Sequence, residues 1–171
     1  MERKIENKQL CKECGGRCCK RMGCHYSPDD FEEITYESLK KEIEKGFISI
    51  DWWEGNPFED GTDDGISRAY YLRIRNKDGE IVDPSWGGEC ILLTDDGCPL
   101  SYEERPKGAR MLEPDEYGCI SYYNKQQAAR DWYKYNDILS KLAEEFGYNE
   151  EDEELDLSTA LKNALDTFIG R

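Results

Sequence analysis

Cys11-Lys12-Glu13-Cys14-Gly15-Gly16-Arg17-Cys18-Cys19 places four thiols within nine residues. The C-x2-C spacing of Cys11 and Cys14 lets one tight turn offer two sulfurs to one metal ion. Gly15 and Gly16 permit the positive backbone φ that a chain folding around a metal often needs. Cys18 and Cys19 are sequence neighbours, whose side chains often point apart, so the pair suits two metals or one larger cluster. A single four-thiolate zinc knuckle does not account for a chain of 171 residues with eight cysteines. The others are Cys24, beside the single histidine His25, then Cys90, Cys98 and Cys119.

Working outward, the aliphatic content is thin. Leu, Ile, Val and Phe make up 31 of 171 residues, about 18%, below the ~20% that flags disorder when net charge is high. The net charge is −15. Something besides aliphatic burial has to hold the fold: aromatic side chains supply part of it, since each buries a large face while a polar tip stays wet. Thiolate-bound metal is the other candidate. No apolar run is long enough to span a bilayer and residues 1–8 lack the apolar stretch of a signal peptide, so a cytoplasmic protein with no membrane association is expected. Thiols stay reduced there, which favours metal over a disulfide scaffold. An acidic chain lacks the cations that neutralise phosphates, so no nucleic-acid partner is expected. Residues 1–25 nevertheless carry seven basic and three acidic side chains, a +4 segment holding five of the cysteines, against −19 for the rest. Neighbouring cations favour the thiolate.

Ser27-Pro28-Asp29-Asp30 has the form of a helix start, Ser at the N-cap and Pro at the first position, with Phe31, Ile34, Leu39 and Ile43 following at near-helical spacing and Gly46 ending the helix. Residues 47–53 read as a strand and 55–65 as an acidic surface loop. Residues 69–75, the turn Asn76-Lys77-Asp78-Gly79 and residues 80–82 read as a β-hairpin. A second short pair is expected from strand 89–93, the turn Thr94-Asp95-Asp96-Gly97 and Cys98-Pro99-Leu100. Ala128, Ala129, Trp132, Tyr135, Ile138, Leu139, Leu142, Ala143 and Phe146 trace one apolar helical stripe over 125–146, stopped by Gly147. Glu150 to Glu154 is an acidic linker, and Leu157, Leu161, Leu165 and Phe168 suggest a last amphipathic helix. The class is α+β, a small metal-stapled domain with short β-hairpins and flanking amphipathic helices. Residues 1–122 form the cysteine-cluster domain, and residues 123–171 a helical extension packed on it.

The lone histidine removes every two-histidine metal site, and a partly exposed loop position is the favoured reading of His25. Cys24 reads equally well as a ligand or as a buried thiol. A Cys24–His25 nucleophile is disfavoured, because sequence neighbours seldom align for proton transfer. Arg105 and Arg110 can pair with thiolate charge, bind an anion or fork onto carboxylates, structural ion pairing being preferred. Trp52, Trp53 and Trp86 read as core rather than as a binding groove.

These residues resemble the YkgJ family, the CxxCxxCC zinc- or iron-chelating domain. Its opening C-x2-C-x3-C-C is matched by Cys11, Cys14, Cys18 and Cys19; further blocks are matched by Gly88-Glu89-Cys90-Ile91-Leu92-Leu93, Gly97-Cys98-Pro99-Leu100 and Tyr102 to Arg110. The resemblance spans roughly residues 11–120. It implies metal binding through Cys11, Cys14, Cys18, Cys19, Cys90 and Cys98. Ala109 stands where such proteins usually carry a cysteine, so either Cys119 or Cys24 replaces that ligand or one metal site is altered or lost.

Four thiolates suit either Zn2+, the preferred metal, or iron in an iron–sulfur cluster. The C-x2-C-x3-C order reverses the C-x3-C-x2-C of radical S-adenosylmethionine chemistry. The favoured function is a metal-binding protein whose metal is structural or held through thiolates. The alternative is an enzyme acting on a protein or peptide partner, in the manner of a lysine methylase, although no S-adenosylmethionine pocket is recognisable.

Overall fold

The computed structural model describes residues 8–59, 67–84, 87–115 and 118–147, together with Leu161 and Leu165. Strand β1 (Ile48–Glu54) pairs antiparallel with β2 (Arg68–Ile74), Ile48 opposite Ile74 and Glu54 opposite Arg68. Ile48–Trp52 and Ala69–Ile74 are buried without alternation, so both faces of the ribbon are covered.

Both outer edges are occupied as well. Along β2, the Tyr26 amide donates to the Leu72 carbonyl at 2.8 Å and the Ile74 amide to the Cys24 carbonyl at 3.0 Å. Along β1, the Ile50 amide donates to Ile81 at 2.7 Å and the Asp83 amide to Ile50 at 2.9 Å. This corrects the expected hairpin over residues 69–82. The turn at Asn76–Gly79 forms, but Cys24–Tyr26 already fills the free edge of β2, so residues 80–82 pass to the far side of β1.

The helical layer comprises α3 (Tyr36–Glu44), α5 (Lys125–Trp132) and α6 (Asn136–Glu145). Thr35 and Asn124 cap α3 and α5 with reciprocal side-chain bonds to Ser38 and Gln127. Their apolar stripes bury Leu39, Ile43, Ala128, Ala129, Trp132, Leu139, Leu142 and Ala143 with the sheet in one core. The expected helix over 125–146 is present, interrupted by a 3-10 turn at Tyr133–Tyr135. The helix expected from Ser27 is not continuous. Ser27 and Asp30 close a single 3-10 turn, Phe31 is extended, and the helix proper begins at Tyr36. Extending the chain at Phe31 puts its ring 5.6 Å from Trp132, edge to face, a contact a continuing helix would forgo.

Trp52 is core and Trp53 packs half-buried against it; Trp86 lies outside the described residues. So do most of the acidic loop, the acidic linker and the last amphipathic helix, of which only Leu161 and Leu165 are described, both helical and exposed. Among the described residues no helix is long and apolar enough to cross a membrane.

Candidate metal centre

The cysteine run folds as two short helices at the Ile74 end of the sheet: α1 (Lys8–Cys14) and α2 (Arg17–Arg21). Between them Gly15 and Gly16 adopt left-handed φ values of 65° and 72°. A side chain on Gly16 would also collide with Leu93, since its Cβ would sit 2.6 Å from the Leu93 methyl. The glycine pair therefore sets the angle at which α2 presents Cys18 and Cys19. Their sulfurs lie 3.9 Å apart, so the neighbouring thiols meet rather than diverge.

Cys90 and Cys98 come to the same place. The Cys90 amide donates to the Cys19 carbonyl at 2.6 Å, and Leu93 turns back onto the Cys90 carbonyl at 3.0 Å. Residues 89–93 are therefore not the full strand expected: Glu89 and Ile91 make one isolated antiparallel bridge with Lys77 and Arg75, and the Cys90 amide between them holds α2. The expected turn at Thr94–Gly97 forms, with reciprocal amide bonds of 3.1 and 3.0 Å, and lays Gly97 beside Cys11. Cys19 hydrogen-bonds Cys18, Cys90 and Cys98. Cys18 in turn reaches Cys119, on strand β4 (Gly118–Ser121), which pairs with β3 (Leu112–Asp115). The Cys119 thiol feels the charges of Cys18, Cys11 and Cys14, while Cys24, carried on the β2 edge, feels Cys18, Cys90 and Cys98.

The eight thiols thus gather about Cys18, with Cys19, Cys90, Cys98 and Cys24 on one side and Cys11, Cys14 and Cys119 on the other, Cys98 also acting across on Cys11. Their proton affinities are split. The hydrogen bond from Cys19 pulls Cys18 and Cys98 down to about 6 and also lowers Cys90, shifting each toward the thiolate. Cys19, bonded to all three, is pushed up. Burial raises Cys11 and Cys24 and takes Cys119 up to about 12, assisted by the neighbouring sulfurs.

Among the described residues no group of three or more His, Cys, Asp or Glu side chains is placed to hold a metal ion. The donor set nonetheless fits a thiophilic metal. It is all sulfur, and hydrogen bonding lowers the proton affinity of Cys18, Cys90 and Cys98, which eases their deprotonation by a metal.

His25 is half-buried, as expected, but it lies on an isolated bridge along β2 rather than in a loop. Its backbone bridges to Arg73 and its ring stands edge to face on Tyr71, 5.3 Å between centroids. The ring hydrogen-bonds the Tyr123 backbone, and because Nε2 is buried without a partner, that bond uses Nδ1. Burial, aided by Arg73, lowers His25 to about 4, leaving it neutral.

The sequence reading missed a buried ion network under the site. Arg73, fully buried, donates from Nε to Asp51 at 2.9 Å and pairs through Nη2 with Asp83 at 3.1 Å. The available signal was an opposite charge in the middle of each apolar strand, Ile50-Asp51-Trp52 and Leu72-Arg73-Ile74.

A family model described as CxxCxxCC, putative zinc- or iron-chelating domain, matches residues 10–136. No curated protein matches the chain, and no solved structure does.

Proposed function

The chain belongs to the CxxCxxCC zinc- or iron-chelating family, and we propose that it binds its metal through the two thiol groups that meet at Cys18, with zinc the preferred occupant. The observation that carries this reading is Cys19: one thiol in hydrogen-bond reach of three others drawn from segments far apart in sequence. Cys19, Cys90 and Cys98, with Cys18 or Cys24, would supply one all-sulfur site. Cys11, Cys14 and Cys119, with Cys18 shared, would supply a second, Cys119 standing in for the cysteine absent at Ala109.

Bound metal crosslinks the two short helices to the 90–98 segment and to β4. Thiolate coordination of a structural zinc is worth on the order of 10–16 kcal/mol, enough to offset a thin core. The protein's own contribution is to hold the sulfurs together and to shift Cys18, Cys90 and Cys98 toward the thiolate. Eight unpaired thiols suit a reducing, cytoplasmic setting.

Anaerobic purification followed by elemental analysis and an absorption spectrum tests the reading. Colourless protein with zinc supports it. A broad brown band with iron and acid-labile sulfide would replace zinc by an iron–sulfur cluster on the same thiols. Protein free of both metals would overturn it.

A further inference from the structure

Arg105 and Arg110 are the motif residues that thiolate ligation leaves unexplained. Pro106 follows Arg105 with φ −61° and ψ 156°, and leads into the single helical turn α4 (Lys107–Arg110). Asp30 anchors that turn. One of its carboxylate oxygens accepts from the Lys107 amide at 2.9 Å and from the Ser27 amide at 2.8 Å. The other accepts from Arg110 Nη2 at 2.6 Å. Arg110 also donates through Nη1 to the Arg105 carbonyl. Arg105 is therefore held at its backbone by Arg110, and at Nε by the Leu100 carbonyl at 3.2 Å, two residues beyond Cys98.

A guanidinium gripped at Nε has only its Nη groups left to point elsewhere, and Arg105 hydrogen-bonds the Cys98 thiol. Its charge acts also on Cys11 and Cys24, which belong to the two different thiol groups. The cation thus stands where the groups meet. Four thiolates on a divalent ion carry a net charge of −2, costly in a half-buried setting unless a fixed cation offsets it.

We propose that Arg105 is a positioning residue that supplies the countercharge of the thiolate centre, and that the Asp30–Arg110 pair is the brace that aims it. The inference rests on the metal-binding reading above. It gives the Tyr102 to Arg110 block a role: Arg105 touches sulfur, Pro106 fixes the turn behind it, and Arg110 locks its backbone. Neither arginine is a metal ligand.

The test uses full-length protein loaded with zinc alone and measures the rate of zinc transfer to a chromogenic chelator at fixed pH. A hydrogen bond to a charged group corresponds to a factor of about ten or more in an equilibrium constant. Arg105→Gln should bind the same zinc stoichiometry and release it about tenfold faster, whereas Arg105→Lys, which keeps the charge, should stay within about threefold of wild type. In a Cys98→Ser background, the Arg105→Gln effect should shrink. Wild-type release from Arg105→Gln overturns the proposal, as does equal loss from Gln and Lys, which would mean packing rather than charge. Should Arg105→Gln fail to fold, the Lys variant read with and without Cys98→Ser decides, and release from it at about tenfold the wild-type rate contradicts the role. Failure of the metal reading is separate: Cys14→Ser and Cys98→Ser would then leave zinc content unchanged.

Discussion

The Cys90 amide donates to the Cys19 carbonyl at 2.6 Å, tying the helix that carries Cys18 and Cys19 to the segment that carries Cys90 and Cys98. That bond brings the two cysteine-bearing segments side by side. Cys19→Ser should lower metal content and melting temperature together, because Cys19 contacts three other thiols. Cys119→Ser should also lower metal content, since Cys119 reaches Cys18 from β4. Elemental analysis of the two variants beside wild type checks both, and full metal content in Cys119→Ser would return the open ligand position to Cys24.

Arg73 is fully buried between Asp51 and Asp83. Replacing it with Met keeps much of the volume but strands two carboxylates in the interior. Removing one partner of a buried ion pair costs about 3–5 kcal/mol, because the other charge remains uncompensated. Urea denaturation should show an unfolding free energy lowered by that amount with the metal ligands intact. A loss below about 1 kcal/mol would show that the carboxylates escape to water or take up protons.

Gly23 sits where the chain turns from α2 toward the β2 edge. A Cβ there would lie 2.0 Å from the Ile74 carbonyl oxygen, part of the backbone that also accepts no displacement without moving β2. Overpacking of this kind typically costs about 1–3 kcal/mol, and a clash against backbone belongs at the upper end. Gly23→Ala should therefore destabilise measurably in chemical denaturation and, by displacing Cys24, weaken metal retention.

His25 gives the fold a pH dependence of known sign. Its ordinary value is near 6.5 and burial lowers it to about 4, so between those values the unfolded chain binds a proton that the folded chain refuses. Stability should fall as pH drops from about 6.5 to about 4, by up to about 3 kcal/mol, and this contribution should flatten below that. His25→Gln should remove the slope. Thiolate protonation is common to both proteins and cancels in the difference between their denaturation profiles. Parallel profiles for the two proteins across this range would contradict the assignment. As the chain has one histidine, its imidazole NMR signals report the same titration directly.

Much of the local structure around the candidate site was legible in the sequence because thiol and glycine spacing is a local signal. The Cys11 to Cys19 run, the glycine pair behind it and the turn between Thr94 and Gly97 all appear where their residues place them. The α5 and α6 stripe was equally clear, since 3.6-residue periodicity needs no tertiary information. Strand pairing was not legible. Residues 80–82 abandon β2 because Cys24–Tyr26 already occupies its edge, and nothing local to residues 68–82 announces that. Asp30 misled for a similar reason: with Ser27 and Pro28 it read as the start of a helix, but it is committed to Ser27, Lys107 and Arg110 across the fold. His25 read as a loop residue because its burial comes from Tyr71 and Tyr123, distant in sequence.

The central claim is that metal held by thiols replaces part of a thin aliphatic core. Thermal unfolding of metal-loaded protein, compared with the same protein stripped by a chelator under reducing conditions, tests it most directly. Stripping should abolish the cooperative transition or lower it by tens of degrees, given the ~10–16 kcal/mol that a structural zinc supplies. A stripped protein that melts at the same temperature, with the same cooperativity, would contradict the account.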